Sequence, residues 1–119
     1  MHTAEHAAAI ELQQCIDECV NCCILCVQTT EHWFKLRGKH VQASQIRTLS
    51  DCAAICQTNA GFMLRGSQFH TRTCAVCAEI CRECERECRR LEDDEMMLRC
   101  ADACRRCAES CERVAIVAA

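Results

Sequence analysis

Sixteen of the 119 residues are cysteine, and fifteen of these fall at steps of three and four along the chain. The densest run, Cys74, Cys77, Cys81, Cys84 and Cys88, is separated by good helix formers such as Ala, Glu, Arg and Ile. At about 100° per residue these five sulfurs occupy an arc of roughly 80°, the width of one helical face. Cys15, Cys19, Cys22 and Cys26 repeat the pattern, as do Cys100, Cys104, Cys107 and Cys111. Cys52 and Cys56 make a shorter copy, whose phase is continued by Asn59 and Met63. Cys23 alone lies off the stripes.

Thiols on a helical face can fill a core, exchange electrons or hold metal. Filling is poor use of them, because a cysteine is a small hydrophobe and hardly any Leu or Val shares the stripes. Redox catalysis needs one or two activated thiols, often as CxxC at a helix N-terminus. Cys19–Cys22, Cys23–Cys26, Cys74–Cys77, Cys81–Cys84 and Cys104–Cys107 match CxxC, but a stripe of threes and fours produces such matches inevitably. Only Cys74–Cys77 falls near the expected start of a helix. A disulfide scaffold would be shorter and richer in loops, and cysteines at i and i+4 do not easily meet the geometry of a bridge.

Metal ligation explains the number. Structural zinc takes four ligands in a closed tetrahedron, and sixteen thiols on continuous helices oversupply it. An Fe–S cluster takes four cysteines, mostly on irregular backbone that a rigid helix does not provide. Cu(I) is soft, and two thiolates at i and i+4 can share one small ion. A cation also neutralises thiolates that could not ionise together in a low dielectric. A stack of many Cu(I) ions fits both spacing and number. The alternatives are a thiol-redox or Fe–S electron-transfer protein, and a zinc or general heavy-metal buffer.

The elements that must position these sulfurs are helices. The chain has no proline, no tyrosine and three glycines. The first helix is expected from about Thr3 to Leu36, with Thr3 as N-cap. It carries a second apolar stripe, Ile16, Val20, Cys23 and Val27, which suits contact with both neighbouring helices or with another subunit. A linker around Gly38 leads to a helix starting at Ser44 and ending near Leu64. A third runs from His70–Thr73 to Arg90, with a solvated face in which Glu79–Arg82, Glu83–Arg86 and Glu85–Arg89 can pair. A fourth, capped by Asp93 or Asp94, runs to about Val117. Short connections make successive helices antiparallel, so the expected fold is all-α: an up-down-up-down four-helix bundle with a cysteine-lined core, forming one domain over residues 1–119.

The net charge of −3 is mild and suggests neither a nucleic-acid nor a membrane-surface partner. No stretch approaches a membrane span, and the first residues lack the pattern of a signal peptide. A cytosolic setting is expected, where thiols stay reduced.

The segments Cys15-x3-Cys19-x2-Cys22-x3-Cys26, D-C-A-A-I-C from Asp51, T-C-A-V-C-A-E-I-C-R-E-C-E-R-E-C-R-R from Thr73, and C-A-D-A-C-R-R-C-A-E-S-C from Cys100 together make the chain resemble the cytosolic copper storage proteins of bacteria. That resemblance covers nearly the whole sequence. It implies a non-enzymatic tetramer that fills its core with Cu(I)-thiolate sites, with Met or His at the open end as an entry route. Storage also calls for a protein that loads and unloads the metal, a copper chaperone. Gln45 stands where relatives often have a further cysteine, and Asp94-Glu95-Met96-Met97 stands where they are often rich in His.

The fifteen stripe cysteines are therefore the candidate ligands, near one ion per thiol or somewhat fewer. Met63 continues the Cys52–Cys56 stripe, His70 precedes Cys74 by one turn, and Met97 precedes Cys100; these three join them. Up-down topology puts Cys26, Cys52, Cys88 and Cys100 at one end with Met96, Met97 and His40. Cys15, Met63, His70, Cys74 and Cys111 share the other. His2, His6 and His32 lie off the thiol face as surface residues. Trp33, Phe34, Phe62 and Phe69 are expected to close the bundle ends, and Cys23 to pack on a flank.

Overall fold

Few positions in this sequence interrupt a helix, and the chain uses nearly all of them as turns. The computed structural model describes residues 2–38, 42–91 and 93–117, without the side chains of His2, Ile116 and Val117. Within these lie α1 (His2–Arg37), α2 (Ala43–Leu64), α3 (His70–Arg89) and α4 (Glu95–Val117). Gly38 follows α1 with φ 52°, and Gly66 follows α2 with φ 66°. Both lie in the left-handed region that costs a residue with a Cβ and that commonly ends helices. At Gly66 the amide bonds the Met63 carbonyl at 3.1 Å, and the Ser67 amide reaches Phe62 at 3.0 Å, so the last carbonyls of α2 are satisfied. His40 lies outside the described residues.

Asp94 caps α4, its Oδ1 accepting the Met97 amide at 3.0 Å. Ser44 does not cap α2. It lies inside the first turn, where its carbonyl accepts the Thr48 hydroxyl, and the residue at the cap is Gln42, whose side chain makes no capping bond.

The helices form a square. α1 packs on α2 and α4, and α3 packs on the same two, so successive helices are antiparallel neighbours. The molecule measures 55 × 22 × 19 Å. At about 1.5 Å per residue only α1 is long enough to span the first dimension. Its residues 3–10 are exposed and project past the bundle. Ion pairs bind the outside: Arg82–Glu112 at 2.7 Å and Arg89–Asp102 at 3.2 Å join α3 to α4, and Arg106–Glu18 at 3.4 Å joins α4 to α1. Such surface pairs contribute about 0–1 kcal/mol each. Glu83–Arg86 and Glu85–Arg89 pair along α3 as the spacing suggests. The expected Glu79–Arg82 pair is absent among the described residues, because Arg82 turns to Glu85 and Glu112 instead.

The inside is sulfur. All fifteen stripe cysteines are at most 1% exposed. The large apolar side chains buried with them are few: Ile16, Trp33, Leu49, Met63, Met97 and Val114. The second stripe of α1 is only partly covered. Ile16 is buried and Cys23 half-buried against the core, but Val20 and Val27 are 45% and 57% exposed. The bundle's own neighbours therefore account for one edge of that stripe.

Candidate metal centre

Because a helix advances one turn per three or four residues, each stripe delivers one sulfur per turn, and the four helices stack these into layers. The central layers are complete. One contains Cys22, Cys52, Cys81 and Cys104: Cys52 lies 3.8 Å from Cys22, 3.7 Å from Cys81 and 3.9 Å from Cys104. The next contains Cys19, Cys56, Cys77 and Cys107, with Cys56 3.8 Å from both Cys77 and Cys107, and Cys107 3.6 Å from Cys19. Toward one end follow Cys26, Cys84, Cys88 and Cys100, where Cys26 meets Cys100 at 3.8 Å. Toward the other come Cys15, Cys74 and Cys111, where Cys15 meets Cys111 at 3.5 Å.

In both outer layers α2 supplies no thiol. Leu49, one turn before Cys52, and Asn59, one turn after Cys56, take those positions, and both are buried. This corrects the expectation that Cys52 sits at the same end as Cys26, Cys88 and Cys100. α2 runs inward from this end starting at Ala43, and by the time it reaches its first cysteine it has already passed the outer layer, where Leu49 stands, so Cys52 lies one layer inward.

Every cysteine is a free thiol. The sulfur separations of 3.5–3.9 Å are far beyond the roughly 2.05 Å of a disulfide. They suit metal instead. With a metal–thiolate bond of about 2.3 Å, sulfurs sharing one ion stand roughly 3.8 Å apart in a tetrahedron and about 4.6 Å apart when opposed. Several quartets of cysteines have sulfurs all within 4.8 Å of one another, among them Cys22/Cys26/Cys52/Cys104, Cys22/Cys52/Cys56/Cys81 and Cys56/Cys77/Cys81/Cys107. The quartets overlap, sharing Cys22, Cys52, Cys56 and Cys81. A metal demanding four ligands of its own cannot occupy them all, whereas one satisfied by two or three bridging thiolates can.

The electrostatics demand a cation. The contact with Cys104, then that with Cys22, holds the Cys52 thiol below its ordinary range, since a thiolate there accepts bonds from neighbouring S–H groups. The donors are correspondingly held up: Cys104, chiefly by Cys100 and then Cys22, and Cys56, chiefly by Cys107. At Cys74 the Cys111 thiol pulls the proton off, but contact with Cys15 and burial outweigh it and push the group up to about 12. The thiols therefore titrate as a linked set. Ionising all of them in a dry core requires positive charge among the sulfurs.

The end groups are distinct. At the Cys15 end, the Cys74 thiol donates to Met63 Sδ at 3.8 Å, and Asn59 sits among the sulfurs. His70 is half-buried beside this layer, its Nδ1 donating to the Ser67 carbonyl at 2.7 Å. At the Cys26 end, Met97 is 1% exposed and Trp33 2% exposed. The Trp33 indole N–H donates to Gln45 Oε1 at 3.1 Å, and the Arg37 guanidinium lies 4.7 Å over its ring. Gln45 thus serves as a strut for this closing ring.

Trp33 is the one aromatic side chain that closes an end as expected. Phe34 is 47% exposed and Phe62 is half-buried under Arg65, because their helical positions face away from the axis, and Phe69, in the turn before α3, is also 47% exposed. His32, expected as a surface residue, instead binds the Asp94 carboxylate at 3.0 Å and ties α1 to the cap of α4. His6 is exposed as expected. Thr29, three residues beyond Cys26 and in phase with it, is fully buried on the thiol face. Its spacing from Cys26 was the available signal for it.

Fold and site define a class: a helical bundle whose interior is a container for soft metal ions. Residues 8–116 match the model of a family described as copper storage protein, and the chain belongs to that family. A protein from Nitrosospira multiformis, known from its crystal structure, is 42% identical over 92% of this chain and 98% of its own, with a TM-score of 0.84. The Cu(I)-bound copper storage protein BsCsp3 is 32% identical over 88% of this chain and 98% of its own, with a TM-score of 0.83. The apo form of copper storage protein 3 from Bacillus subtilis is 35% identical over 87% and 97%, with a TM-score of 0.74. No curated protein sequence matches the chain significantly.

Proposed function

We propose that this protein stores Cu(I), binding many ions per chain through the thiolates of its core. The overlapping sulfur quartets carry this reading: they offer a continuous column of soft ligands at metal-bridging distances. The ligands are Cys15, Cys19, Cys22, Cys26, Cys52, Cys56, Cys74, Cys77, Cys81, Cys84, Cys88, Cys100, Cys104, Cys107 and Cys111. Met63, His70 and Met97 assist at the two ends. Met63 already touches Cys74, and His70 keeps Nε2 for a metal because Nδ1 is engaged. Copper is cargo here, and no substrate is turned over. The chain forms one bundle domain over residues 1–119 and works in the cytosol, where its thiols stay reduced. Among the described residues no helix is long and apolar enough to cross a membrane. The uncovered face of α1, with Val20, Ile24 and Val27 all exposed, supports assembly of copies into a homotetramer. A copper chaperone would load and unload the store.

The test is an anaerobic Cu(I) titration of the reduced protein against a chromogenic Cu(I) chelator, followed by circular dichroism. Uptake of about ten or more ions before the chelator colours, with helicity unchanged throughout, is the expected result. Uptake that stops at one to four ions, on the scale of a single cluster, overturns the proposal.

A further inference from the structure

Asn59 is the polar side chain that the thiol column does not explain. It occupies a position that the phase of α2 assigns to the sulfur face, and it is fully buried. Its Nδ2 lies 3.5 Å from each of three sulfurs, those of Cys19, Cys74 and Cys111, which come from three different helices. Its Oδ1 accepts the Thr73 hydroxyl at 2.7 Å and lies 3.5 Å from the Cys74 sulfur. Thr73 stands at the start of α3, where its hydroxyl also lies 3.1 Å from the His70 carbonyl. The amide is thus clamped by Thr73 on its oxygen side and turns its N–H donors into the cluster of sulfurs, with Cys74 Sγ equally close to its nitrogen and its oxygen.

An N–H has no lone pair for a metal. What it offers a sulfur is a hydrogen bond, and a metal-bound thiolate keeps spare lone pairs to accept one. Such bonds drain charge from the thiolate and fix its direction, and groups behind metal ligands commonly govern how firmly the ion is held. Where α2 brings an amide in place of a thiol, the layer has one ligand fewer and one donor more. It then needs less positive charge to be neutral.

Resting on the storage reading, we propose that Asn59 is a positioning residue of the store: clamped by Thr73, it shares its two N–H donors among the sulfurs of Cys19, Cys74 and Cys111 and strengthens their hold on Cu(I) without ligating it. The opposite amide orientation would turn Oδ1 to the sulfurs and make the residue a ligand, and the two cases behave differently.

Three variants, Asn59→Leu, Asn59→Asp and Thr73→Val, are loaded anaerobically with Cu(I) beside the wild type. For each, capacity and the rate of transfer to excess chelator are recorded, with circular dichroism confirming the helical fold. The Leu variant should take up as many ions as the wild type but release its most weakly held ions about tenfold faster. Asn59→Asp, which sets a carboxylate against thiolates, should release them at least as fast. Thr73→Val, which keeps the amide but loses its clamp, should fall between and keeps the proposal testable if both Asn59 variants fold poorly. Release unchanged in Asn59→Leu or in Thr73→Val overturns the role. So does a lost ion in the Leu variant that the Asp variant retains, which would make Asn59 an oxygen ligand. Wild-type uptake of only a few ions would instead overturn the storage reading, a result distinct from normal wild-type uptake with indifferent variants.

Discussion

The two ends of the sulfur column are closed by different chemistry. At the Cys15 end polar groups join the apolar ones: beside buried Met63 and Val114, Asn59, Thr73 and His70 bond to sulfur, to one another or to backbone carbonyls. At the Cys26 end the closing groups are apolar: Leu49, Met97 and Trp33 plug the layer, with Gln45 and Arg37 bracing the indole from outside. Both solutions arise from the same fact, that α2 carries two cysteines where α3 carries five. A missing thiol can be replaced by bulk or by an amide, and the chain uses one at each end. Bulk shuts water out and strengthens the apo fold, whereas an amide orders the sulfurs beside it at little gain in packing.

If that contrast holds, Trp33→Ala has the largest effect on the apo protein. The side chain is 2% exposed and is the largest apolar group in a core made mostly of cysteine and alanine. Its removal should cost about 3 kcal/mol in denaturant unfolding, with part of the loss recovered once copper is bound. A cost under about 0.5 kcal/mol, the range of an ordinary surface change, would mean that the sulfur column supports itself and that the plug is ornamental.

Asn59→Leu should cost the apo protein less, about 1 kcal/mol. The lost hydrogen bonds to sulfur are partly offset by the burial of an isobutyl group, and Thr73 keeps the His70 carbonyl as acceptor. A loss equal to that of Trp33→Ala would erase the distinction between an ordering group and a stabilising one.

Asp94→Ala tests the junction behind the apolar plug and should cost about 1 kcal/mol at neutral pH, as loss of a helix cap does. Burial pushes the Asp94 carboxyl up, but the Met97 amide and His32 outweigh it and hold it below the ordinary carboxylate range. A carboxyl depressed in the folded state stabilises above its unfolded value of about 3.9. That contribution is lost as pH falls through the lower, folded value. The gap between wild type and variant should therefore persist from neutrality to about pH 5 and close in more acid solution. A gap that persists in acid would show that Asp94 acts through packing.

Much of this was legible in the sequence because the stripes carry the periodicity of one structure only. The spacing of Cys15 to Cys26 and of Cys74 to Cys88 marks both helix and inward face, and all of those sulfurs are buried. What the spacing hides is relative height between helices. Nothing in the run from Ser44 to Cys56 reveals that α2 is offset by a layer, so Cys52 was expected nearer the end than it lies. The fate of the aromatics was equally hidden: Phe34 and Phe69 look like end plugs by composition, yet the place of Phe34 on α1 and of Phe69 in the turn before α3 leaves both exposed. His32 and Asp94 are 62 residues apart, and their pairing depends on how far α1 runs past the last thiol, which periodicity does not report.

The smallest effect is the one of opposite sign. Thr29 is fully buried at the apolar end, and its Oγ1 has no hydrogen-bond partner among the described residues. A buried hydroxyl without a partner costs its desolvation, and a valine of the same shape removes that cost. Thr29→Val should therefore stabilise the apo protein by about 0.5–1 kcal/mol, while any change of Asn59 at the polar end destabilises it. If Thr29→Val instead destabilises, the hydroxyl has found a partner in solution, and the Cys26 end is wetter than an apolar plug allows. The sign of this one substitution thus decides whether the two ends differ in kind or only in degree.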